Sequence, residues 1–357
     1  MMIRDMKTRA SLILLAAALT LAAGVSCREQ EKEENKDIPA GDIVISFSSA
    51  VPVTRAVGDG EAADGGGIVI DGSGNPDLFI AIVNYQGNVV ATYTGTDTAD
   101  AEKVDASATQ VSIRFKSISN SGEYTVYAMA NTSGGVWGAP ADASAWAALT
   151  TATALDARTF TDLGDYGTLS VTDRMPLSAK GTLSISENLN GHVELEMLRC
   201  VGKVGFKFKN ECNESITLTD CVVEIEEISP RQGYLFPRTS GDDVAGTSPR
   251  SITLNKSSIT IGSGASTEMY DMQLVFPSIA PERTVGSRYF CNIRFTVGNK
   301  EKSFTDLPIH DKMSQDIQAL GRNQYLQIET RINKGNDISF NFEVIDWTRK
   351  QEEITFH

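Results

Sequence analysis

The sequence predicts an all-β protein built as two β-sandwich domains in tandem. Short runs rich in Val, Ile, Thr, Ser and Phe are cut throughout by Gly, Asn and Asp, which is the composition of strands and turns. Within many of these runs apolar and polar residues alternate, the period of a half-buried strand. A length of 357 residues exceeds one ordinary core, so the strands divide into two domains.

The totals narrow the function classes. A formal net charge of -14 and a pI near 4.8 argue against a nucleic-acid partner and fit a protein kept soluble outside the cell. Beyond the N-terminus no apolar run approaches the roughly 18 residues that span a bilayer.

Taken in order, the chain begins with an address. Arg4, Lys7 and Arg9, with Asp5 among them, precede the apolar run Ala10–Val25. This is a secretory signal peptide over residues 1–26, excluded from the fold. It ends in Leu21-Ala22-Ala23-Gly24-Val25-Ser26-Cys27, which resembles a lipobox with Gly24 where leucine is usual. Acylation would make Cys27 the first mature residue. The other reading, ordinary cleavage near Ser26, leaves an exposed reactive thiol and is disfavoured. Residues 27–42 then form a lipidated acidic tether, since Arg28–Asp37 is charged or polar and without a hydrophobe, hence solvated. It looks like the surface-export signal of some Gram-negative lipoproteins, or it is a plain spacer. Acyl chains would hold such a protein on a membrane until the tether is cut.

Residues 43–55 follow as one strand. Its odd positions Ile43, Ile45, Phe47, Val51 and Val53 are apolar, Ser46, Ser48 and Thr54 are polar, and only Ser49 breaks the row. The strand stops at Arg55, and Gly58, Gly60, Gly65, Gly66 and Gly67 come soon after. Flanked by flexible segments on both sides, it is a strand that could be cut out.

The first sandwich is set over residues 56–190. Asp71, Ser73, Asn75 and Asp77 have the spacing of a calcium loop, but Pro76 and Ile82 stand where that loop needs Gly and Glu, so a plain turn is expected. Leu78–Tyr85 is a central strand, and Gln86-Gly87-Asn88 turns it into Val89–Tyr93 as a hairpin. Val111, Ile113 and Phe115 alternate, and Tyr124–Ala130 is a second central strand. Asp142 in N-cap position predicts a short helix over Asp142–Leu149. Trp137 and Trp146 lie near it, to pack over the end of the sandwich or to stack on sugars; packing is favoured. Met175-Pro176-Leu177 and Thr182–Ile185 close the domain.

The second sandwich is set over residues 191–357. Val193, Leu195 and Met197 alternate in one phase, and Val204, Phe206 and Phe208 in the other. The slip near Gly202 predicts a bulge or bend. Ile216–Ile228, Ile252–Leu254 with Ile259–Ile261, Asp271–Phe276, Tyr289–Val297, Tyr325–Ile332 and Ile338–Val344 supply further strands at sandwich spacing.

Little in the sequence points to an enzyme. His192, His310 and His357 lie far apart without metal-ligand spacing, and no nucleophile elbow or phosphate loop occurs. Glu226 and Glu227 adjoin in a strand and so point to opposite faces. No cofactor or metal is expected. After Cys27, the cysteines Cys200, Cys212, Cys221 and Cys291 permit up to two disulfides. Cys212 and Cys221 flank a turn and are the first pair to test; buried free thiols fit equally well.

The order of segments resembles the fimbrillin family, the lipoprotein-derived subunits of type V pili. The corresponding features are Cys27, the junction Thr54-Arg55-Ala56, and Met175-Pro176-Leu177. Leu198-Arg199-Cys200-Val201-Gly202-Lys203-Val204 looks like the family's interdomain stretch, with Gly202 for the usual Ala. Gly321-Arg322-Asn323-Gln324-Tyr325 and Val344-Ile345-Asp346-Trp347 match its later motifs. The resemblance implies two transthyretin-like (Greek-key) sandwiches that polymerise by strand exchange and contribute to adhesion. An Arg-specific extracellular protease would cut after Arg55, before Ala56, and remove the strand carrying Ile43, Ile45, Phe47, Val51 and Val53. A C-terminal strand of another pilus subunit would fill the groove. Here the candidate donor is 338–356, with Ile338, Phe340, Phe342, Val344, Ile354 and Phe356. The implied location is the cell outer membrane and the fimbrium, reached through the periplasm with the acyl anchor in outer-membrane lipid. Two alternatives stay open: Arg55 as an ordinary linker arginine, and a C-terminal strand that completes its own sandwich. A different class of function is a monomeric surface lipoprotein binding a glycan or host ligand through the loops near Trp137 and Trp146.

Overall fold

Alternation becomes strands wherever one face of a run can be buried. The computed structural model describes residues 42–49, 67–107, 109–160, 175–238, 244–245, 249–267, 270–283, 286–311, 315–333 and 337–346. Cys27, Val51, Val53, Arg55, Ala56, Ile354, Phe356 and His357 lie outside them.

The N-terminal half contributes β1 (Ile43–Ser49), β2 (Leu78–Val83), β3 (Val89–Tyr93), β4 (Ala101–Ala106), β5 (Gln110–Phe115), β6 (Gly122–Ala130), β7 (Leu177–Ile185) and β8 (Gly191–Arg199). They run in the order β3-β2-β6-β7-β8-β1-β5-β4. Between β7 and β8 only Leu177↔Arg199 and Ser178↔Leu198 pair, and there the sheet folds over. The resulting layers, β3-β2-β6-β7 and β8-β1-β5-β4, enclose a core in which Ile80, Ile82, Val126 and Ala128 meet Ile43, Ile45, Phe47 and Ile113.

One helix was expected here, and there are two short ones, α1 (Ala143–Ala147) and α2 (Ala152–Asp156). Asp142 caps α1 by accepting from the Ala145 amide as foreseen. Thr151, with extended backbone, accepts from the Ala154 amide and starts α2, so the Ala-rich run does not continue as one helix.

The C-terminal half holds β9 (Gly202–Asn210), β10 (Ile216–Ser229), β11 (Gln232–Gly233), β12 (Val244–Ala245), β13 (Arg250–Ile261), β14 (Tyr270–Val275) and β15 (Ser278–Ile279). It continues with β16 (Glu282–Arg283), β17 (Gly286–Ser287), β18 (Phe290–Val297), β19 (Lys300–Pro308), β20 (Ala319–Leu320), β21 (Gln324–Ile332) and β22 (Ile338–Asp346). Its two main layers are β13-β10-β18-β19 and β14-β9-β21-β22, closed over a core that includes Val204, Phe206, Val223, Ile225, Ile293 and Ile328.

The two halves repeat one topology. β1 lies between an antiparallel β5 and a parallel β8; β9 lies between an antiparallel β14 and a parallel β21. β2 pairs antiparallel with β3 and β6, as β10 does with β13 and β18. The β6–β7 pairing recurs as β18–β19. Among the described residues two main strands have no counterpart: β4, on the far side of β5, and β22, on the far side of β21.

The phase slip near Gly202 marks the passage from one half to the other. β8 belongs with β1 and β7 in the N-terminal sheet, although alternation alone grouped residues 191–199 with the second half. The chain crosses at Cys200 and Val201, both fully buried, and β9 begins a new sheet, so the inward face changes parity. Gly202 is required there. A Cβ would stand 2.9 Å from the Gly321 carbonyl oxygen and 3.0 Å from that of Gln324.

A third apolar cluster lies at the crossing. Phe79, Tyr127 and Met129 on the outer face of β2 and β6 pack with Trp146 of α1, Val201, and Leu235 and Phe236 of the C-terminal half. Trp146 stacks on Phe79 with centroids 4.1 Å apart. The segment Gln232–Phe236 is a strap across this surface. Its Gly233 carbonyl accepts from the Phe160 amide at 2.7 Å, and the Leu235 amide donates to the Arg158 carbonyl at 3.0 Å. Arg322 fastens the strap by donating to the carbonyls of Tyr234, Leu235 and Phe236 and to Ser178 Oγ on β7. The two halves form one compact unit.

Hydrogen bonds to a charged group contribute about 1.5–3 kcal/mol net. Arg322→Ala should therefore lower unfolding free energy by about that much, read as a shifted urea midpoint. Arg322→Lys should not restore it, because an ammonium lacks the planar fork that reaches several carbonyls.

Candidate functional site: the slot of the first strand

The sequence-predicted residues that the structure brings together are those of β1. Its inward row is Ile43, Ile45 and Phe47, respectively 1%, 0% and 0% exposed. They sit opposite Phe115, Ile113 and Val111 of β5 and Gly191, Val193 and Leu195 of β8. Each fully buried large side chain is worth about 1.5–3 kcal/mol, and main-chain bonds run to both neighbours. β1 is therefore a central strand, although it comes from the very start of the described chain.

The outer face carries the polar contacts. Ser46 Oγ is 2.9 Å from Ser112 Oγ on β5 and 3.4 Å from His192 Nε2 on β8. Asp42, just before β1, forms a 3.3 Å ion pair with Arg114 Nε, and its carbonyl accepts from the Gly191 amide at 3.1 Å. Arg114 also donates to Glu102 on β4 at 3.0 Å. The carboxyl of Glu102 is held below its usual range by hydrogen bonds from Lys116 and Arg114. Periodicity gave the inward row; nothing in it could reveal the contacts of Ser46 and Asp42, which depend on register across 66 to 146 residues.

The candidate donor positions Ile338, Phe340, Phe342 and Val344 lie on β22, whose one neighbour among the described strands is β21. Phe342 is buried, while Ile338, Phe340 and Val344 are partly buried against the C-terminal core. Phe340 meets Phe304 edge-on at 5.0 Å.

Other features resolve into packing. Asp71 Oδ1 accepts from the amides of Ser73 and Asn75 at 2.8 and 2.7 Å. Lys103 Nζ donates to the Gly74 carbonyl at 2.5 Å, so the 71–77 loop is the plain turn expected. Backbone bonding from Asn75 holds the Asp71 carboxyl below its ordinary value. Trp137 and Trp146 are 9% and 4% exposed and belong to the cluster at the crossing. That corrects the sugar-stacking alternative, because neither ring offers a free face. A cleft of about 430 Å³ between Val69–Phe79, Thr94–Thr96 and Ala141–Trp146 has its carboxylates already engaged. Asp77 accepts from the Ser133 amide and Asp142 caps α1. Among the described residues no three His, Cys, Asp or Glu side chains gather to hold a metal.

The suggested bridge between Cys212 and Cys221 is not formed, and the four cysteines among the described residues are thiols. Cys212 precedes β10 and its Sγ donates to the Asn333 carbonyl at 3.3 Å. Cys221 is well inside β10, in the core, and strand rise over that separation far exceeds the reach of a disulfide. Burial pushes the Cys221 thiol up to about 12 and raises that of Cys291 as well.

Two predictions follow from this packing. Phe47→Ala should cost about 3–5 kcal/mol in urea denaturation, whereas Ser48→Ala at a half-exposed place should stay within about 0.5 kcal/mol. Of the four cysteines in the described chain, iodoacetamide should label Cys212 in the native protein. Cys200, Cys221 and Cys291 should react only after unfolding, as mapped by peptide mass spectrometry.

Comparison with protein-family models and with curated proteins finds no match. Solved structures do match. One, described as a "putative cell adhesion protein" from Parabacteroides distasonis, is 11% identical over 86% of this chain and 97% of its own, with a TM-score of 0.57. A second, described in the same words, from Bacteroides eggerthii, is 13% identical over 87% and 97%, with a TM-score of 0.50. The chain shares the fold of these Bacteroidales proteins, and that likeness is consistent with the fimbrillin family its motifs resemble.

Proposed function

We propose that the protein is a structural subunit of a cell-surface fimbrium that contributes to adhesion. On this reading it is exported as a lipoprotein acylated at Cys27, cut after Arg55 by an Arg-specific extracellular protease, and polymerised by strand exchange with other subunits. The observation that carries the reading is the place of β1. A strand with three fully buried side chains between β5 and β8 is followed in sequence by Arg55 and a run of glycines. Cutting there severs β1 from the fold it completes. Once β1 leaves, β5 and β8 present two unsatisfied edges and an apolar groove, which is the condition for another strand to add. The surplus strand β22 supplies the complementary part. Cell adhesion in the names of the structural neighbours supports a surface role. Lipid anchoring in the outer membrane follows from the Cys27 motif.

The experiment is limited proteolysis of the purified precursor with an Arg-specific protease, followed by a non-denaturing gel. The parent should give a ladder of oligomers and release the peptide that ends at Arg55. Arg55→Ala should stay monomeric, as should a variant lacking residues 338–357. A cleaved monomer that keeps β1 bound, or a ladder unchanged in Arg55→Ala, would overturn the proposal.

A further inference from the structure

The slot has an outer face as well as an inner one, and the outer face carries information about register. Along β1 the inward positions are all aliphatic or aromatic, so a strand shifted by two residues still places apolar groups in most inward places. The outward positions discriminate. Arg114 holds an acid at position 42. Ser112 Oγ and His192 Nε2 converge from the two flanking strands on the hydroxyl at position 46, where Ser46 is 7% exposed and Ser112 is 9% exposed. An apolar side chain at position 46 would leave the buried Ser112 hydroxyl without this partner. A two-residue shift one way takes the acid away from Arg114. The other way brings it to position 44, across from Arg114, but puts the residue before the acid, Gly41 here and Asn336 in the C-terminal strand, into the inward place of Ile43.

The C-terminal edge strand carries the same pattern. Asp42-Ile43-Val44-Ile45-Ser46-Phe47-Ser48 matches Asp337-Ile338-Ser339-Phe340-Asn341-Phe342-Glu343. Acid stands for acid, Ile338 for Ile43, Phe340 for Ile45, the hydrogen-bonding Asn341 for Ser46, and Phe342 for Phe47. The topology makes this strand free to leave. β22 has no counterpart in the N-terminal half, so the strands that remain after its departure are the set the first half already uses. It would exchange one hydrogen-bonded neighbour for two, and partly buried side chains for the fully buried places of Ile43 and Ile45.

We infer that Arg114 and the inward place of Ile43 together fix the register of the slot, that Ser112 and His192 hold the place of Ser46 to a hydrogen-bonding side chain, and that the slot so selects Asp337–Glu343 of a second copy of this chain, position for position in place of Asp42–Ser48. The inference rests on the strand-exchange reading and its C-terminal donor, and adds the residues of the slot that set the register. Asp337 then pairs with Arg114, and the Asn341 amide bonds to Ser112 and His192. Glu343 lies across from Gln110, as Ser48 does in the closed chain.

The test mixes two full-length precursors after Arg-specific cleavage, one carrying Gln110→Cys and the other Glu343→Cys, both with Cys212→Ser. Directly opposed strand residues lie within disulfide reach, and a two-residue shift moves the Cα atoms by about 7 Å. The expected result is an intermolecular disulfide between positions 343 and 110, at least about tenfold more abundant than the one formed with position 110 when the donor cysteine is moved from 343 to 345 (Ile345→Cys). In the selection arm, Asn341→Leu should cut oligomer yield about tenfold, the factor that corresponds to about 1.4 kcal/mol. Asn341→Ser should retain the parent's yield. Oligomers that form without the 343–110 bond, or an Asn341→Leu ladder equal to the parent's, would overturn the register while leaving strand exchange standing. Absence of any ladder from the cleaved parent overturns strand exchange and the register together.

Discussion

The whole N-terminal sandwich depends on one strand, the first of the described chain. β1 bonds to β5 on one edge and β8 on the other, and without it the layer β8-β1-β5-β4 has no centre. Most central strands are secured at both ends by turns that lead to their neighbours. β1 instead reaches its parallel neighbour β8 only through the length of the N-terminal half. Its hold is therefore almost entirely side-chain burial plus main-chain bonds. Three fully buried large side chains amount to about 5–9 kcal/mol of transfer free energy, enough to keep the strand in place while the connection is intact. A severed segment must meet that term against the entropy of a separate molecule.

The internal repeat explains why the two halves behave differently although they share a topology. β9 stands in the C-terminal half where β1 stands in the N-terminal one, but β9 continues directly from β8 through Cys200 and Val201, both buried. It is anchored by the junction itself. Arg199, fully buried, donates to Asn323 Oδ1 at 2.8 Å, and Lys203 lies 4.3 Å from the centroid of the Tyr325 ring. The Arg322 strap closes the same region. The asymmetry is one of covalent connection rather than of sheet structure. On the proposed reading the same slot is permanent in one half and conditional in the other.

Much of this was legible in the sequence, and what was missed has physical causes. Alternation located β1, β5, β9 and β22 and assigned Ile43, Ile45 and Phe47 to a core, because period two is a local property of a half-buried strand. The opposite phases of Val193–Met197 and Val204–Phe208 were also visible. Their meaning was not, since a bulge and a change of sheet both shift the phase by one. β8 was therefore grouped with the second half. Asp142 was readable as a cap; the second cap at Thr151 was hidden in an Ala- and Thr-rich run where several residues could serve. The cysteine pairing failed because spacing says nothing of depth, and Cys221 points into the core of β10. The outer-face contacts of Ser46 needed three strands in register, which no local pattern contains.

Placed together, these constraints specify what an occupant of the slot must do. While β1 is covalently attached it meets the slot within its own molecule, and a second molecule must compete against that effective concentration. Cutting the link removes this advantage without changing any contact. The contest then turns on contacts alone, and Asp337–Phe342 brings the same acid, the same inward pattern and a hydrogen-bonding group at the one outward place where Ser112 and His192 require it. Its two phenylalanines against one in Asp42–Phe47 add apolar area where the groove is driest. On the proposed reading the slot is thus built to be filled first by a weaker, tethered strand and afterwards by a larger one. On the same reading, Arg114 and the inward place of Ile43 keep the replacement from slipping by two.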